Sequence, residues 1–422
     1  MGPIALFDKS FLQSLSLDES IWFDHFFYPT ICPLFYVETL ADLSKASKSS
    51  GRGGEEEVRI IADKTPTLSG GPCVHHRELS LANLMGHHIP MNGQIPVAGG
   101  RRVKAADGRR GVVFDASPEA QAFSRWQNAE FRDVERRFAA GWRHMLTTLD
   151  LPAVAERMRK LGINPQECKS VEMAHAIASA LVHKRDSPFD QMALLFAFVG
   201  IPPEQQRPIL ERWAIDQFRP LAEYAPYAAH VLVVELFFQI ALGANLISAD
   251  RPSNRIDIAY LCYLPFSMIF VSSDKLHRRC APVFLRKDQG FVWGPDLKAE
   301  LGRVNRDFST LPTEVLEQGL MKVAKAPTGD PSDLLVALWD RYTPGWRKRK
   351  EVPPPMPEEK QNELVQHLRG LSDAPADDSS PVDGDAELDG LSIQRMVPKK
   401  KGNWWLLPKD LNVPDDESQQ GP

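Results

Sequence analysis

The sequence predicts an α/β protein with a discontinuous, Rossmann-like parallel sheet, an inserted α-helical domain and a disordered C-terminal tail. Three observations support this prediction. Short apolar runs alternate with helical periodicity in residues 3–46, and the alternation returns in residues 251–310. Residues 116–250 carry helical spacing alone, and residues 351–422 are proline-rich and then acidic. Alternating strands and helices are typical of a parallel sheet, whereas an acidic, polar segment buries too little apolar surface to fold.

The first part of the sheet is predicted in residues 3–46. The apolar run 4–7 predicts a short buried strand, and apolar residues at helical spacing follow over 10–27. The run 30–36 predicts a second strand, which continues into a helix over 37–43. This order of strand, helix, strand and helix predicts two neighbouring parallel strands.

Residues 47–115 predict an irregular insertion, because they are rich in glycine and proline and show little periodicity. The segment contains a cysteine and four paired histidines: Cys73, His75, His76, His87 and His88. One interpretation is a zinc site, although adjacent side chains point in different directions and the spacing matches no common zinc pattern. The other is a loop with scattered histidines, and the sequence leaves their role open.

Residues 116–250 predict an α-helical insertion of about five to seven helices. Ser117-Pro118-Glu119 is typical of a helix start, with a capping serine, proline at the first helical position and an acid in the first turn. The longest apolar segment, 228–246, is interrupted by His230 and Glu235. These polar residues favour a buried helix over a membrane span.

The second part of the sheet is predicted in residues 251–310. It consists of a helix near 255–264, a strand at 268–271, a helix near 275–280, a strand near 290–293 and a helix over 296–308. A helical extension is predicted over 311–350. The tail, 351–422, is predicted to be disordered apart from a helix near 358–371.

The tail contains basic residues beside the pair Trp404-Trp405. This combination is typical of a short motif that docks on a protein partner. The same residues would equally suit a terminal segment that folds back onto the protein's own core. Both interpretations remain open from the sequence.

The composition is that of an ordinary globular protein of 422 residues with a net charge of −5. It has no overall basic field, so a nucleic-acid site would need locally concentrated basic residues. The five cysteines are scattered and form no CxxC pair, which favours a reducing compartment. No signal-peptide pattern opens the chain. We therefore expect a cytoplasmic protein that does not enter a membrane, while the oligomeric state does not follow from the sequence.

Four acidic residues lie where the predicted strands end or restart. Asp8 ends the first strand, and Glu38 ends the apolar run 32–37. More than 200 residues later, Asp257 opens the helix before the strand that Asp274 follows. Because parallel strands end at one edge of a sheet, we expect these carboxylates to converge there. Taken singly, each acid could instead cap a helix or complement its dipole.

Converging carboxylates predict a divalent cation, because they cannot remain ionised together without positive charge between them. Mg²⁺ and Mn²⁺ prefer carboxylate oxygens, and such ions activate water for attack on a phosphodiester. The sequence lacks a phosphate-binding GxxxxGK[ST] or GxGxxG loop. Hydrolysis is therefore favoured over nucleotide-driven transfer.

These motifs together resemble the PIN-like nuclease family. The resemblance rests on Asp8-Lys9-Ser10-Phe11-Leu12 after a strand, on the early Glu38, and on Asp257 before Tyr263-Leu264-Pro265-Phe266 and Ser272-Ser273-Asp274-Lys275. It covers residues 3–46 and 253–308, and the long insertion and the tail depart from compact members of the family. It implies that Asp8, Glu38, Asp257 and Asp274 are the catalytic, metal-binding acids, with Ser10 and Ser273 as polar neighbours that contact substrate.

Basic residues follow Asp274 directly and are the candidates for gripping a backbone phosphate. The candidate substrate-binding residues are Lys275, Arg278 and Arg279, and His277, Arg286 and Lys287 extend the group. A second group of basic and aromatic residues over 125–160 could supply base stacking and phosphate contacts. The favoured interpretation is that amphipathic helices carry these charges on their solvated face and the aromatic residues inward.

The sequence thus predicts a metal-dependent nuclease that hydrolyses phosphodiester bonds, with Mg²⁺ or Mn²⁺ as cofactor. The resemblance alone implies RNA rather than DNA as substrate. The alternative is a catalytically inactive PIN-like protein that acts as a protein-interaction or nucleic-acid-binding module.

Overall fold

The computed structural model describes residues 2–45, 53–97, 99–105, 108–348, 357–376, 390–393, 395 and 397–411. Ten strands lie in this part of the chain: β1 Ile4–Phe7, β2 Tyr28–Ile31, β3 Gly71–Pro72, β4 Arg101–Lys104, β5 Arg110–Phe114, β6 Ile269–Ser272, β7 Gly290–Trp293, β8 Gly390–Ile393, β9 Lys400–Lys401 and β10 Trp404–Trp405.

The α-helices of the first half of the chain are α1 Lys9–Ser14, α2 Leu17–Phe26, α3 Pro33–Ala41, α4 Gly54–Lys64, α5 His76–Leu84, α6 Pro118–Gln127, α7 Asp133–Thr147, α8 Leu151–Lys160, α9 Val171–His183, α10 Pro188–Val199 and α11 Pro203–Ile215. Those of the second half are α12 Leu221–Tyr224, α13 Pro226–Gly243, α14 Asn254–Ala259, α15 Lys275–Cys280, α16 Gly294–Ser309, α17 Thr313–Leu316, α18 Leu320–Val323, α19 Leu334–Tyr342 and α20 Glu358–Ser372. Short 3₁₀ helices span Asp42–Ser44, Tyr260–Phe266, Ala281–Phe284 and Trp346–Lys348.

The central sheet has five parallel strands in the order β3-β2-β1-β6-β7. This confirms an α/β protein whose parallel sheet is assembled from two distant parts of the chain. The chain first adds strands on one side of β1 and later returns to add β6 and β7 on the other. Such a reversal leaves a crevice at the carboxyl ends of the two strands where it occurs, here β1 and β6.

The second strand and the helix after it differ from the prediction. The strand is Tyr28–Ile31, and the helix already begins at Pro33. Proline suits the first helical position because it needs no N–H donor there and its φ is already helical. Glu38 therefore lies in a helix and does not end a strand. The predicted helix over 10–27 is likewise two helices, because Ser16 and Glu19 form a capping box that starts α2.

The predicted irregular insertion, 47–115, also needs correction. It contributes α4, α5 and the edge strand β3 to the central fold. In α4, Val58, Ile61 and Ala62 are buried at helical spacing beneath an acidic first turn. The hairpin β4–β5 from the same segment pairs with β8 of the tail, and α20 packs on this small sheet.

The predicted helical insertion, 116–250, consists of helices but does not have a core of its own. Its buried apolar residues form one continuous cluster with those of the central sheet. At the centre of this block lies α13, which is long and apolar enough to span a membrane by composition, yet 83% of it is buried inside the protein. This confirms the predicted buried helix.

The tail is more ordered than predicted. The helix near 358–371 is confirmed as α20, and the hairpin β9–β10 packs against the first part of the fold. The ring of Trp404 is 3% exposed and lies 4.7 Å from that of Trp22, centroid to centroid. For Trp404 the structure therefore bears out the folded-back interpretation. The predicted disorder of 351–356, 377–389 and 412–422 lies outside the described residues.

Candidate functional site

The carboxyl edge between β1 and β6 contains the candidate site. Asp8 directly follows β1, and its backbone N–H donates to the carbonyl of Val271 on β6 at 3.3 Å. Asp274 lies two residues beyond the end of β6. The crevice that the strand order predicts therefore coincides with two of the four predicted acids.

The Asp8 carboxylate is 4% exposed and accepts several hydrogen bonds. Oδ1 accepts from the backbone N–H of Phe11 at 2.9 Å, which caps α1. Oδ2 accepts from the hydroxyl of Ser10 at 2.7 Å and from that of Ser272 at 2.8 Å. Ser10 is thus next to the acid as predicted, and it orients Asp8 directly.

His277 is buried behind this carboxylate with 0% of its side chain exposed. Its Nδ1 lies 3.2 Å from Asp8 Oδ2, and its Nε2 donates to the backbone carbonyl of Asp257 at 2.6 Å. Burial alone would lower the pKa of His277, but the hydrogen bond and charge of Asp8 and the charge of Asp257 raise it to about 9. The imidazolium form of His277 therefore joins the Asp8 carboxylate to the backbone of Asp257. Because its side chain is fully buried, its predicted place in a phosphate-gripping surface is wrong.

The charge of His277 also sets the ionisation of Asp8. Burial opposes ionisation of this carboxyl group. The hydrogen bond and charge of His277, with the hydrogen bond from Ser10, nevertheless hold the pKa of Asp8 below its usual value. Asp8 is therefore a carboxylate at neutral pH even though it is buried.

Glu38 reaches the edge from α3. Its Oε2 accepts a hydrogen bond of 2.5 Å from the hydroxyl of Tyr260. Burial raises the pKa of Glu38, the charge of Asp8 adds to this rise, and Lys9 opposes it. The ammonium of Lys9 donates to the backbone carbonyl of Glu38 at 3.0 Å and pairs with Asp42 at 2.9 Å.

Asp257 is the least compensated of the four acids. Its carboxylate accepts no hydrogen bond from any part of the chain that the structure describes. Burial raises its pKa to about 7, and the charges of Glu38, Asp274 and Asp8 contribute to the rise while His277 opposes it. The pKa of Asp257 thus depends on the charges of all three other acids, so the four lie close enough to affect ionisation within the group.

Asp274 lies on the solvent side of the cluster. Its Oδ1 accepts from the backbone N–H of Leu276 at 2.6 Å, and its own N–H donates to the hydroxyl of Ser272 at 2.9 Å. The side chain is partly exposed and borders a cleft of about 880 Å³. It is the member of the cluster that a ligand from solvent reaches most directly.

The carboxylate oxygens of these four acids are of the type that binds hard cations, but they are not arranged around a common point as metal ligands are. Within the described residues, no group of three or more His, Cys, Asp or Glu side chains is arranged to hold a metal ion. Among the same residues, Asp257, Asp274 Oδ2 and Glu38 Oε1 have no hydrogen-bond donor. Carboxylate oxygens of this kind are the ligands that Mg²⁺ and Mn²⁺ prefer.

The remaining predicted substrate residues point in different directions. The hydroxyl of Ser273 is buried and has no partner in the described part of the chain. Lys275 is exposed at the cleft, and Arg279 borders the cleft while donating to the carbonyl of Leu246. The guanidinium of Arg278 instead lies 4.8 Å above the ring of Trp293, outside the cleft.

The paired histidines of the insertion lie partly in the core. His76 is buried, and its backbone N–H and Nδ1 both contact the hydroxyl of Tyr263 at 3.1 Å. His75 stacks on it with ring centroids 4.3 Å apart, and burial lowers its pKa to about 4. Cys73 is also buried. His75 and His76 therefore help α5 to pack, whereas His87 and His88 are exposed.

Sequence reasoning missed Tyr260 and Ser272 and misplaced His277. All three lie within three residues of Asp257 or Asp274 in the sequence, but their partners are Glu38 and Asp8 from the first part of the chain. The spacing from Ser272 to His277 across a helix start is a weak signal for such a contact.

No protein-family model, curated protein or solved structure matches this chain.

Proposed function

We propose that this protein is a PIN-like, divalent-metal-dependent nuclease that hydrolyses phosphodiester bonds at the edge between β1 and β6. The observation that carries the proposal is Asp257. It is a mostly buried carboxyl group with a pKa of about 7, no hydrogen-bond donor in the described residues, and three acidic neighbours. Natural structures retain such uncompensated charge mainly where a ligand or a reaction uses it.

A divalent cation is the ligand that fits this donor set. Asp257, Asp274 and Glu38 have carboxylate oxygens to offer, and Asp8 lies beside them in ionised form. A bound Mg²⁺ or Mn²⁺ would offset charge on the phosphodiester and activate water. In this proposal His277 fixes the direction of the Asp8 carboxylate, and Tyr260 fixes that of Glu38.

The test of the activity is cleavage of labelled single-stranded RNA and DNA by the parent and by Asp8→Asn, with manganese present. Asparagine caps helices as well as aspartate does, so the start of α1 is retained while the charge is lost. We expect the substitution to lower the cleavage rate by about 100-fold or more. Asp340→Asn is the control, since Asp340 is an exposed acid on α19 that pairs with Arg347.

Equal cleavage by the parent and Asp8→Asn would refute the mechanism. A preference for DNA would retain the nuclease and refute only RNA as substrate. RNA is proposed from the family resemblance alone.

Metal binding is tested separately by thermal unfolding. In EDTA at pH 8, Asp257→Asn should be about 1–3 kcal/mol more stable than the parent, because burial and three neighbouring acids oppose the ionisation of this carboxyl group. Manganese should raise the melting temperature of the parent, because a ligand that binds only the folded state stabilises it. The same manganese titration should leave Asp257→Asn almost unchanged, and a parent that does not respond would exclude the cation site.

The alternative function is a catalytically inactive PIN-like module that binds nucleic acid or protein. One observation favours it: the Asp8 carboxylate already accepts from Phe11 and two serines and is paired with His277. An acid that is satisfied internally has less to gain from a cation. The alternative predicts nucleic-acid binding without cleavage in any divalent metal.

A further inference from the structure

An open cleft of about 880 Å³ lies directly beside Asp274. One wall is formed by α8 of the helical insertion, another by α15, and its floor by the segment 245–251 and the start of α14. The cleft therefore opens onto the acidic edge, and its walls come from helices and a connecting segment and not from the strands of the sheet.

Positive charge dominates this cleft. Arg159, Arg251, Lys275 and Arg279 line it, against two acids, Asp250 and Asp274. Arg251 and Lys275 are exposed, and neither side chain has an ion-pair or hydrogen-bond partner in the described residues. An excess of unpaired cations beside a hydrolytic edge is the electrostatic pattern that attracts a phosphate backbone.

The wall from the helical insertion is held firmly against the core. Gly243 at the end of α13 lies so close to α8 that a Cβ there would be 2.6 Å from Met158 Cβ. Arg159 donates to the carbonyl of Gly243 at 3.2 Å and to Asn245 Oδ1 at 2.6 Å. These contacts set the position of the Arg159 guanidinium at the rim of the cleft.

The residues that line the cleft indicate what part of a nucleic acid it would contact. No aromatic side chain is among its described lining residues, so it has no platform on which bases could stack. Besides the two acids, its polar groups are cations, two asparagines and a serine, which bind phosphate and sugar oxygens without reading sequence. Its volume is at the upper end of the roughly 300–1,000 Å³ that enclose one small ligand, so it would accommodate a short length of one strand and not a duplex.

We infer that this cleft binds the phosphate backbone of single-stranded nucleic acid, independently of sequence, and leads the strand to the acidic edge beside Asp274. The inference rests on the proposed function for its substrate class. It gives the helical insertion a role, because α8 contributes Arg159 to the cleft.

The test measures binding without cleavage, by fluorescence anisotropy of a short labelled oligouridine in EDTA. The variant is Arg251→Glu with Lys275→Glu, which changes two exposed side chains that stabilise nothing else in the described residues. The control is Lys322→Glu with Lys325→Glu, which makes an equal charge change on two exposed residues. These residues lie near the opposite edge of the sheet, because the carbonyl of Ala324 between them contacts His25.

We expect the cleft variant to bind about tenfold or more weakly than the parent, and the control to bind within about twofold. The slope of log affinity against log salt should fall by about 1.4, since each phosphate contact on a single strand contributes about 0.7. Equal affinity of cleft variant and parent would overturn the inference. Equally tight binding of a duplex would also overturn it, as would full displacement of the strand by uridine monophosphate at similar concentrations.

This measurement separates the two proposals. If the parent binds the strand through the cleft but cleaves nothing with manganese, the nuclease proposal fails and the cleft stands. If the parent cleaves but the cleft variant binds and cleaves as well as the control, the cleft inference fails and the nuclease stands.

Discussion

The acidic edge is held together by one buried cation from the protein itself. His277 lies between Asp8, at the end of β1, and the carbonyl of Asp257 on α14. It therefore joins two segments that are more than 200 residues apart in the sequence. The positive charge lowers the pKa of Asp8, but it does not satisfy Asp257, whose pKa is about 7. Asp257 therefore remains the least compensated of the four acids.

The first residue-scale prediction concerns His277→Asn. Asparagine removes the charge and leaves Asp8 buried without its cation, which should cost about 3–5 kcal/mol of unfolding free energy at pH 6. The measurement is urea unfolding in EDTA. His88→Asn is the control, because His88 is exposed and should change stability by less than about 0.5 kcal/mol.

The pH dependence of this loss follows from the direction of the pKa shift. His277 has a folded-state pKa of about 9, above its ordinary value of 6.5. Its contribution to stability is therefore complete below pH 6.5 and is lost as the pH rises through 9. We expect the difference between parent and His277→Asn to shrink by about 2–3 kcal/mol over this interval. Parallel stability curves for the two proteins would contradict the assigned imidazolium.

At the scale of elements, the hairpin β9–β10 closes over the outer face of α2. Trp22 and Trp404 each donate their indole N–H to the same oxygen, Asn305 Oδ1, at 3.0 Å and 2.9 Å. The neighbouring Trp405 is only partly buried, with the ammonium groups of Lys400 and Lys409 5.5 Å and 5.8 Å from its ring centroid. The two tryptophans of the pair thus have different structural roles.

We predict that Trp404→Ala destabilises the protein by about 3–5 kcal/mol, the usual cost of emptying a buried aromatic site. Trp405→Ala is the matched comparison and should cost about 1 kcal/mol, because its cation–π contacts are solvated. Urea unfolding measures both. Similar small losses of unfolding free energy for the two variants would mean that the hairpin does not stabilise the core. That outcome would favour the interpretation of Trp404 as a residue that docks on a partner.

At the scale of the whole molecule, the helical block and the sheet share one apolar core. The block was predicted as an inserted domain. Its central helix α13, however, packs on α5 as well as on α8 and α9. It is also linked to the 3₁₀ helix Tyr260–Phe266, because the hydroxyl of Tyr227 donates to the carbonyl of Cys262. A shared core has no boundary along which the two parts could unfold separately.

We therefore predict that helix content and tryptophan environment are lost together. Far-UV circular dichroism, which follows the helices, and tryptophan fluorescence should give coincident urea transitions. Trp126 and Trp213 report on the helical block, and Trp22 and Trp339 on the rest of the fold. Two resolved transitions would indicate that the helical block is an independent domain after all.

Local patterns explain what could be predicted from the sequence. The strands β1, β6 and β7 were recognised because short apolar runs and flanking polar residues depend only on neighbouring residues. The position of Asp8 and Asp274 was predictable because all strands of a parallel sheet end at one edge, whereas Glu38 lies in α3 and Asp257 in α14. The start of α3 at Pro33 was missed because an apolar run of this length is compatible with strand or helix.

The sequence by itself therefore determined the fold class, the two-part sheet and the edge at which Asp8 and Asp274 lie. Only the tertiary structure decided that His277 is buried between Asp8 and Asp257, that α8 borders the cleft, and that Trp404 lies in the core. Each of these depends on contacts between residues far apart in the chain. Periodicity and capping describe a residue's neighbours in sequence, and they carry no information on which distant side chain completes its hydrogen bonds or covers its apolar surface.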